Sequence, residues 1–229
     1  MKKLLTGFTI AFMAMVMFTP LANAQKAPFT GTVIYDVKAE GDLPEQAKAM
    51  MPSEMISKIT ADKQSAFIKS DMMEIKIISD AVTQETFNMM SMMGQKVVIK
   101  STAAQLSDLK KKEGITTSFK TTNETKTIAG YLCKKFIVTV KSKDGKEMSM
   151  DEYFTDDIDV SRFMFSNTFP EIKGFPMEFT MNVGPVSLRC NVHSIKKEGI
   201  PVSEFVIPTD YQPTTMEGLK SLFGGAGMQ

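Results

Sequence analysis

Thr127-Ile-Ala-Gly-Tyr-Leu-Cys-Lys-Lys-Phe-Ile-Val-Thr-Val140, a turn at Lys143-Asp-Gly-Lys146, and Glu147-Met-Ser-Met-Asp-Glu-Tyr-Phe154 together decide the fold class. They read as a β-hairpin. Asp144-Gly145 between two β-prone runs is a strong hairpin signal, because a type I′ turn needs positive φ at both central positions. The flanking chain also reads mainly as strand. Phe29, Gly31, Val33, Tyr35 and Val37 alternate with Thr30, Thr32, Asp36 and Lys38, which predicts a half-buried first strand. Two strands follow from Gln64 to Ser79 about a turn at Ser70-Asp71, and a third runs from Glu85 to Met90. Met92-Met93-Gly94-Gln95 then turns the chain into Lys96–Lys100, and Ile115–Lys120 leads to the hairpin. Downstream, Phe175, Met177, Phe179 and Met181 alternate with Pro176, Glu178, Thr180 and Asn182. Pro176 has no N–H, so this strand should begin there or lie at an edge. After Gly184-Pro185, Val186, Leu188, Cys190 and Val192 form one apolar face, and Ser203–Ile207 reads as the last strand.

Helices are few. Asp42, Pro44 and Glu45 make a helix start. Ala47, Met50, Met51, Met55, Ile56 and Ile59 then recur at helical spacing, so a Met-striped helix is expected from Leu43 to Ile59, kinked at Pro52. Thr102 should cap a short helix through Leu106 and Leu109, stopped by Gly114. Asp159 caps a turn carrying Phe163, Met164 and Phe165, and Thr214 with Glu217 opens a terminal helix. The pattern predicts a mainly β fold: an antiparallel sheet curled into a half-barrel, a helix covering its concave face, and short extra helices.

Residues 1–24 read as a secretory signal peptide: Met1-Lys2-Lys3, an apolar run from Leu4 to Phe18, and Ala22-Asn23-Ala24 before Gln25. The expected mature protein, residues 25–229, is a single periplasmic domain large enough for a real core. No later run is apolar and long enough to span a bilayer. Without Lys2 and Lys3, 25 basic side chains face 26 acidic ones, so no basic surface points to nucleic acid.

Catalytic and metal signatures are sparse. The single histidine, His193, falls on the polar side of its strand, with no nucleophile motif, HExxH or P-loop in the chain. Asp151, Glu152, Asp156, Asp157 and Asp159 cluster without calcium-loop spacing. Cys133 and Cys190 leave a disulfide open: an oxidising compartment favours it, while a meander sets them three strands apart. Methionine is the compositional anomaly, 20 residues against no Trp. Thioethers fill irregular cores or line adaptable apolar surfaces. Met89, Met90, Met92 and Met93 are also the one constellation suited to Cu(I), although adjacent strand side chains point to opposite faces.

Phe29-Thr-Gly-Thr-Val-Ile-Tyr35, Met92-Met-Gly-Gln-Lys96, Thr127–Phe136 and Thr155-Asp-Asp-Ile158 together resemble an exported bacterial family, common in Bacteroidetes, related to the LolA/LolB/LppX lipoprotein-carrier fold. That resemblance implies an antiparallel half-barrel holding acyl chains beneath a helical lid, with the Leu43–Ile59 helix in the lid's place. The expectation is a non-enzymatic periplasmic protein, without cofactor, binding a hydrophobic small molecule or lipid acyl chain. Its candidate lining is Met51, Met55, Ile59, Phe87, Met89, Phe179 and Met181. The alternatives are Cu(I) handling and a structural module with an envelope protein as partner.

Overall fold

The computed structural model describes residues 27–41, 43–44, 51–167, 169–183 and 186–223. The strands of the first meander are β1 (Gly31–Glu40), β2 (Glu54–Ile59), β3 (Lys63–Lys69), β4 (Met73–Asp80), β5 (Glu85–Met92) and β6 (Gln95–Thr102). Helix α1 (Ala103–Glu113) follows. The second meander is β7 (Thr116–Ile128), β8 (Tyr131–Lys141), β9 (Glu147–Thr155), β10 (Phe175–Val183) and β11 (Val186–Lys197). A two-residue β12 (Gln212–Pro213) and helix α2 (Met216–Phe223) end the described chain. All twelve strands form one sheet in the order β12-β6-β5-β4-β3-β2-β1-β11-β10-β9-β8-β7. Every pairing is antiparallel except β12 on β6. The meanders are sewn together by β1 on β11, with Tyr35 opposite Val192 and Val37 opposite Cys190.

This order forces the sheet to roll. Laid flat, β6 and β7 would stand ten strand spacings apart, about 48 Å. Helix α1 and its short flanks reach only about 27 Å. The ends of the sheet must therefore approach one another, although β6 and β7 share no ladder and the sheet stays open.

Local chemistry sets the turns. Met93-Gly94 and Ala129-Gly130 carry positive φ at both positions and close tight β5–β6 and β7–β8 hairpins. The β8–β9 connection is a looser loop than Asp-Gly predicts. Ser142 N–H bonds Lys146 O at 2.9 Å, and in the loop between them only Gly145 is left-handed. Helix α1 begins and ends where expected, with a complete Thr102–Gln105 capping box and a left-handed Gly114.

The inner face holds the main core, including Val33, Tyr35 and Val37 of β1 with Met55 and Ile59 of β2 and Leu188 and Cys190 of β11. Residues 156–174, between β9 and β10, fold back over that face. Their Ile158, Val160, Phe163, Phe169 and Ile172 are buried against the sheet. Within this segment lies a 3₁₀ turn, Ser161–Ser166, whose cap residue is Val160 and not the expected Asp159; Asp159 Oδ1 accepts the N–H of Ser161 at 2.9 Å from one position further back. Arg162 ties the segment across to the β2–β3 turn, donating to Ala61 O at 3.1 Å and to the Asp62 carboxylate. On the outer face, residues 198–211 form a strap across β2–β6. Its Glu204 accepts from Lys58 Nζ at 2.6 Å, and Phe205, Ile207 and Tyr211 pack on Ile78, Met89 and Val98.

Three expectations need correction. The Leu43–Ile59 helix is strand over residues 54–59, where Met55, Ser57 and Ile59 alternate inward against β1 and β3. An apolar set at 55, 56 and 59 suits either period, and pairing with two neighbours selects the strand. Residues 42 and 45–50 lie outside the described residues, as does the signal peptide expected at 1–24. Among the described residues the inner face is therefore covered by the 156–174 segment and not by that helix. Ser203–Ile207 joins no ladder, its first residues belonging to a 3₁₀ turn, Val202–Phe205, that places Glu204 on the lysines. Strand β10 begins at Phe175, beside Pro176, which meets the first of the two placements expected for that proline; it lies inside the sheet and not at an edge, and an irregularity between Pro176 and Glu178 breaks its alternation at Met177.

Candidate functional site

Rolling the sheet leaves a cavity of about 170 Å³ between its inner face and the 156–174 segment. One wall is Tyr35 of β1, Met55 and Ser57 of β2, Gln64 and Ala66 of β3 and Ile77 of β4. The opposite wall is Phe154 of β9 with Phe175, Pro176, Phe179 and Met181 of β10. Val160, Ser166, Asn167 and Phe169 close it from the covering segment. Ile77 and Phe154 stand six strand spacings apart along the sheet, about 29 Å if flat. That both line one cavity identifies this face as the concave one.

Tyr35 organises the floor. Its ring meets Phe179 edge-on, centroids 5.6 Å apart at 84°, and its hydroxyl donates to Pro176 O at 3.0 Å. Burial pushes the phenol well above its ordinary pKa of 10, so it remains a neutral donor. Ser57 differs. Its side-chain oxygen is buried on the cavity wall and makes no hydrogen bond among the described residues. Such a group costs about 1–3 kcal/mol to leave unpaired. The site is thus a mainly apolar hollow whose polar lining residues are Ser57, Gln64, Ser166 and Asn167, the Ser57 hydroxyl being the one left without a partner among the described residues.

Of the expected lining, Met55, Phe179 and Met181 come together on the cavity wall. Ile59 is fully buried and Met51 half-buried in the same core, but neither reaches the cavity. Phe87 and Met89 are corrections. They pair with Ile78 and Lys76 on the outer face, where Met89 lies buried under the strap. Both alternating sets of β5 are apolar enough that its sequence does not say which faces inward. Tyr35, Ala66, Ile77, Phe154, Phe175 and the covering segment's Val160 and Phe169 were missed as lining. For Tyr35 and Phe175 the signal was present, since each belongs to the apolar set of its strand.

The four methionines proposed for copper also separate. Met89 faces outward and Met90 inward, opposite Ile75 and Val97. Met92 stands opposite Met73, and Met93 occupies the β5–β6 turn. Cys133 and Cys190 are free and buried on β8 and β11, two strands intervening. Burial, reinforced by Glu152, pushes the Cys190 thiol up to about 12, so it is inert as a nucleophile. His193 is exposed, with Nδ1 3.4 Å from Asp36.

Glu152 is the most perturbed carboxylate, fully buried on β9. Burial raises it to about 8, against the lowering effect of the Thr180 N–H and the Arg189 guanidinium. Arg189 bridges Glu178 at 2.5 Å, Thr180 Oγ1 at 3.0 Å and Asp151 O at 2.6 Å, and lies 3.9 Å from Glu152. Burial also pushes Glu178 up, but Lys126 and Arg189 outweigh it and hold that carboxyl below its ordinary range. Glu152 lies off the cavity wall, so this network holds strands rather than a ligand. Among the described residues no three His, Cys, Asp or Glu side chains converge as a metal site, and no helix is long and apolar enough to cross a membrane. The chain matches no protein-family model and no curated protein sequence.

Proposed function

We propose that this is an exported, non-enzymatic periplasmic protein that holds a hydrophobic ligand, a lipid or the end of an acyl chain, inside the rolled sheet. The carrying observation is the mainly apolar cavity beneath the covering segment, with Ser57, whose hydroxyl has no partner among the described residues, on its wall. Apolar pockets with a few polar groups bind small molecules, the apolar surface giving affinity and the polar group orientation. A hollow of about 170 Å³ matches a single ring or a short alkyl segment, since an engineered apolar cavity of about 150 Å³ binds benzene. A longer chain requires the 156–174 segment to lift, and that segment serves as the lid that the LolA/LolB/LppX resemblance assigns to a helix. Residues 1–24 support export.

Native mass spectrometry of protein isolated from the envelope, followed by titration with a fatty-acid series of increasing length, tests this reading. Retention or uptake of one lipid per chain is expected, weakened by Ala66→Phe, which fills the hollow. A protein that neither retains nor takes up any member of the series would overturn it.

A further inference from the structure

We propose a soft-metal site, for Cu(I), at the adjoining tips of the β3–β4 and β5–β6 hairpins, formed by the thioethers of Met72, Met73, Met92 and Met93. It is independent of the cavity and of the lipid reading.

Neighbouring hairpins put two methionine pairs at one place. Met73 and Met92 are directly opposed across the β4–β5 ladder, and Met72 and Met93 adjoin them at the turns. All four line a single surface cleft, with Lys69, Asp71 and Glu74 at its margin. Strand alternation separates Met89 from Met90, whereas these four share one cleft, Met72 and Met93 lying in turns beyond the strand ends. Thioethers are soft, neutral donors that favour Cu(I) over harder divalent ions. Long unbranched side chains let the sulfurs converge without moving the backbone.

The second observation is Met93 itself. It holds φ +51, the left-handed position of a tight turn that Asn or Gly fills at least cost. Met93 is 69% exposed and Met72 46% exposed. A flexible apolar residue kept in a disfavoured conformation while burying little is placed for something other than packing. At the rim Lys69 pairs with Glu74 at 2.5 Å, which leaves the Asp71 carboxylate as the net charge beside the thioethers, of the sign that suits a cation.

The test uses the full chain labelled at its methionine methyl carbons and titrated with Ag(I), a redox-inert soft ion, and then with Cu(I) without oxygen. With the first equivalent, the methyl resonances of Met72, Met73, Met92 and Met93 should move together while those of Met89 and Met177 stay. Replacing the four by Leu, volume-conserving at exposed or half-exposed positions, should weaken the first equivalent at least 10-fold. Circular dichroism and an unchanged Met177 resonance confirm that this variant is folded, and Met93→Leu alone should show a smaller loss. Resonances that do not move, metal that goes to Cys133 or Cys190, or a four-Leu variant that binds as tightly would each overturn the proposal.

Discussion

Glu152 of β9 takes the place of a strand. Its carboxylate accepts the backbone N–H of Thr180 on β10, at 3.0 Å to one oxygen and 3.2 Å to the other. The β9–β10 ladder ends at Tyr153 opposite Glu178, so beyond that point the strands diverge and this side chain supplies the acceptor that a carbonyl would have given.

That arrangement predicts an unusual pH dependence. Folding raises Glu152 from 4.5 to about 8, so the native state binds a proton that the unfolded chain releases in this window. The stabilisation is fully present below about pH 4.5 and is lost as pH rises through 8. Urea unfolding between pH 5 and 8.5 should show stability falling by up to about 1.4 kcal/mol per pH unit. Glu152→Gln, which keeps an acceptor for Thr180, should flatten that slope. A wild-type profile already flat over this range would refute the account.

Ser57→Ala separates stability from binding. Removing an unpaired buried hydroxyl should stabilise the free protein by about 1 kcal/mol, because nothing is lost but the desolvation penalty. The same change should weaken any ligand that carries a hydrogen-bonding group, and leave a pure alkane unaffected. Paired urea melts and ligand titrations check both directions. A destabilised variant would mean that the hydroxyl is satisfied.

Local signals made the hairpins legible. Met93-Gly94, the Thr102–Gln105 box and the alternation of β1 each involve residues a few positions apart. Pairing of β1 with β11 was not legible, because it joins residues about 160 positions apart and depends on how both meanders roll. The cavity shows the same division. Met55, Phe179 and Met181 were identified from apolar patterning, although Met55 arrives on a strand. Met89 was misplaced because β5 is apolar on both faces, and only the strap of Phe205, Ile207 and Tyr211 gives its outer set something to pack on.

Gly31 opens β1 at a point of close approach. An added Cβ would stand 2.2 Å from the carbonyl oxygen of Lys196 on β11. That partner is backbone and cannot rotate away, so Gly31→Ala must displace the strand on which the two meanders meet. A loss of about 2–3 kcal/mol is expected in chemical denaturation, near the upper range for single substitutions. Gly199→Ala, where an added Cβ meets nothing within 4 Å, is the control and should change stability by less than about 0.5 kcal/mol.

The strap's hold on the outer face depends on Glu204, whose carboxylate meets Lys58 at 2.6 Å, Lys76 at 2.7 Å and Ser65 Oγ at 3.3 Å. Burial raises this carboxyl, but the two lysines outweigh it and hold it below its ordinary range. Its contribution is therefore present above about pH 4.5 and is lost as pH falls through the depressed native value, opposite in sign to Glu152. Glu204→Ala leaves both lysines without their carboxylate and should cost about 2 kcal/mol, less than a fully buried pair because the lysines are partly solvated. The loss should be local before it is global. Phe205 and Ile207 flank that anchor and cover Met89, which is 2% exposed in the intact fold. Releasing the strap uncovers its thioether, whereas Met177, equally buried in the separate inner core, stays protected. Dilute peroxide followed by peptide mapping should show Met89 oxidised several-fold faster in Glu204→Ala than in wild type, with Met177 unchanged. Equal acceleration at both would mean that the whole domain opens and that Glu204 anchors no separable strap.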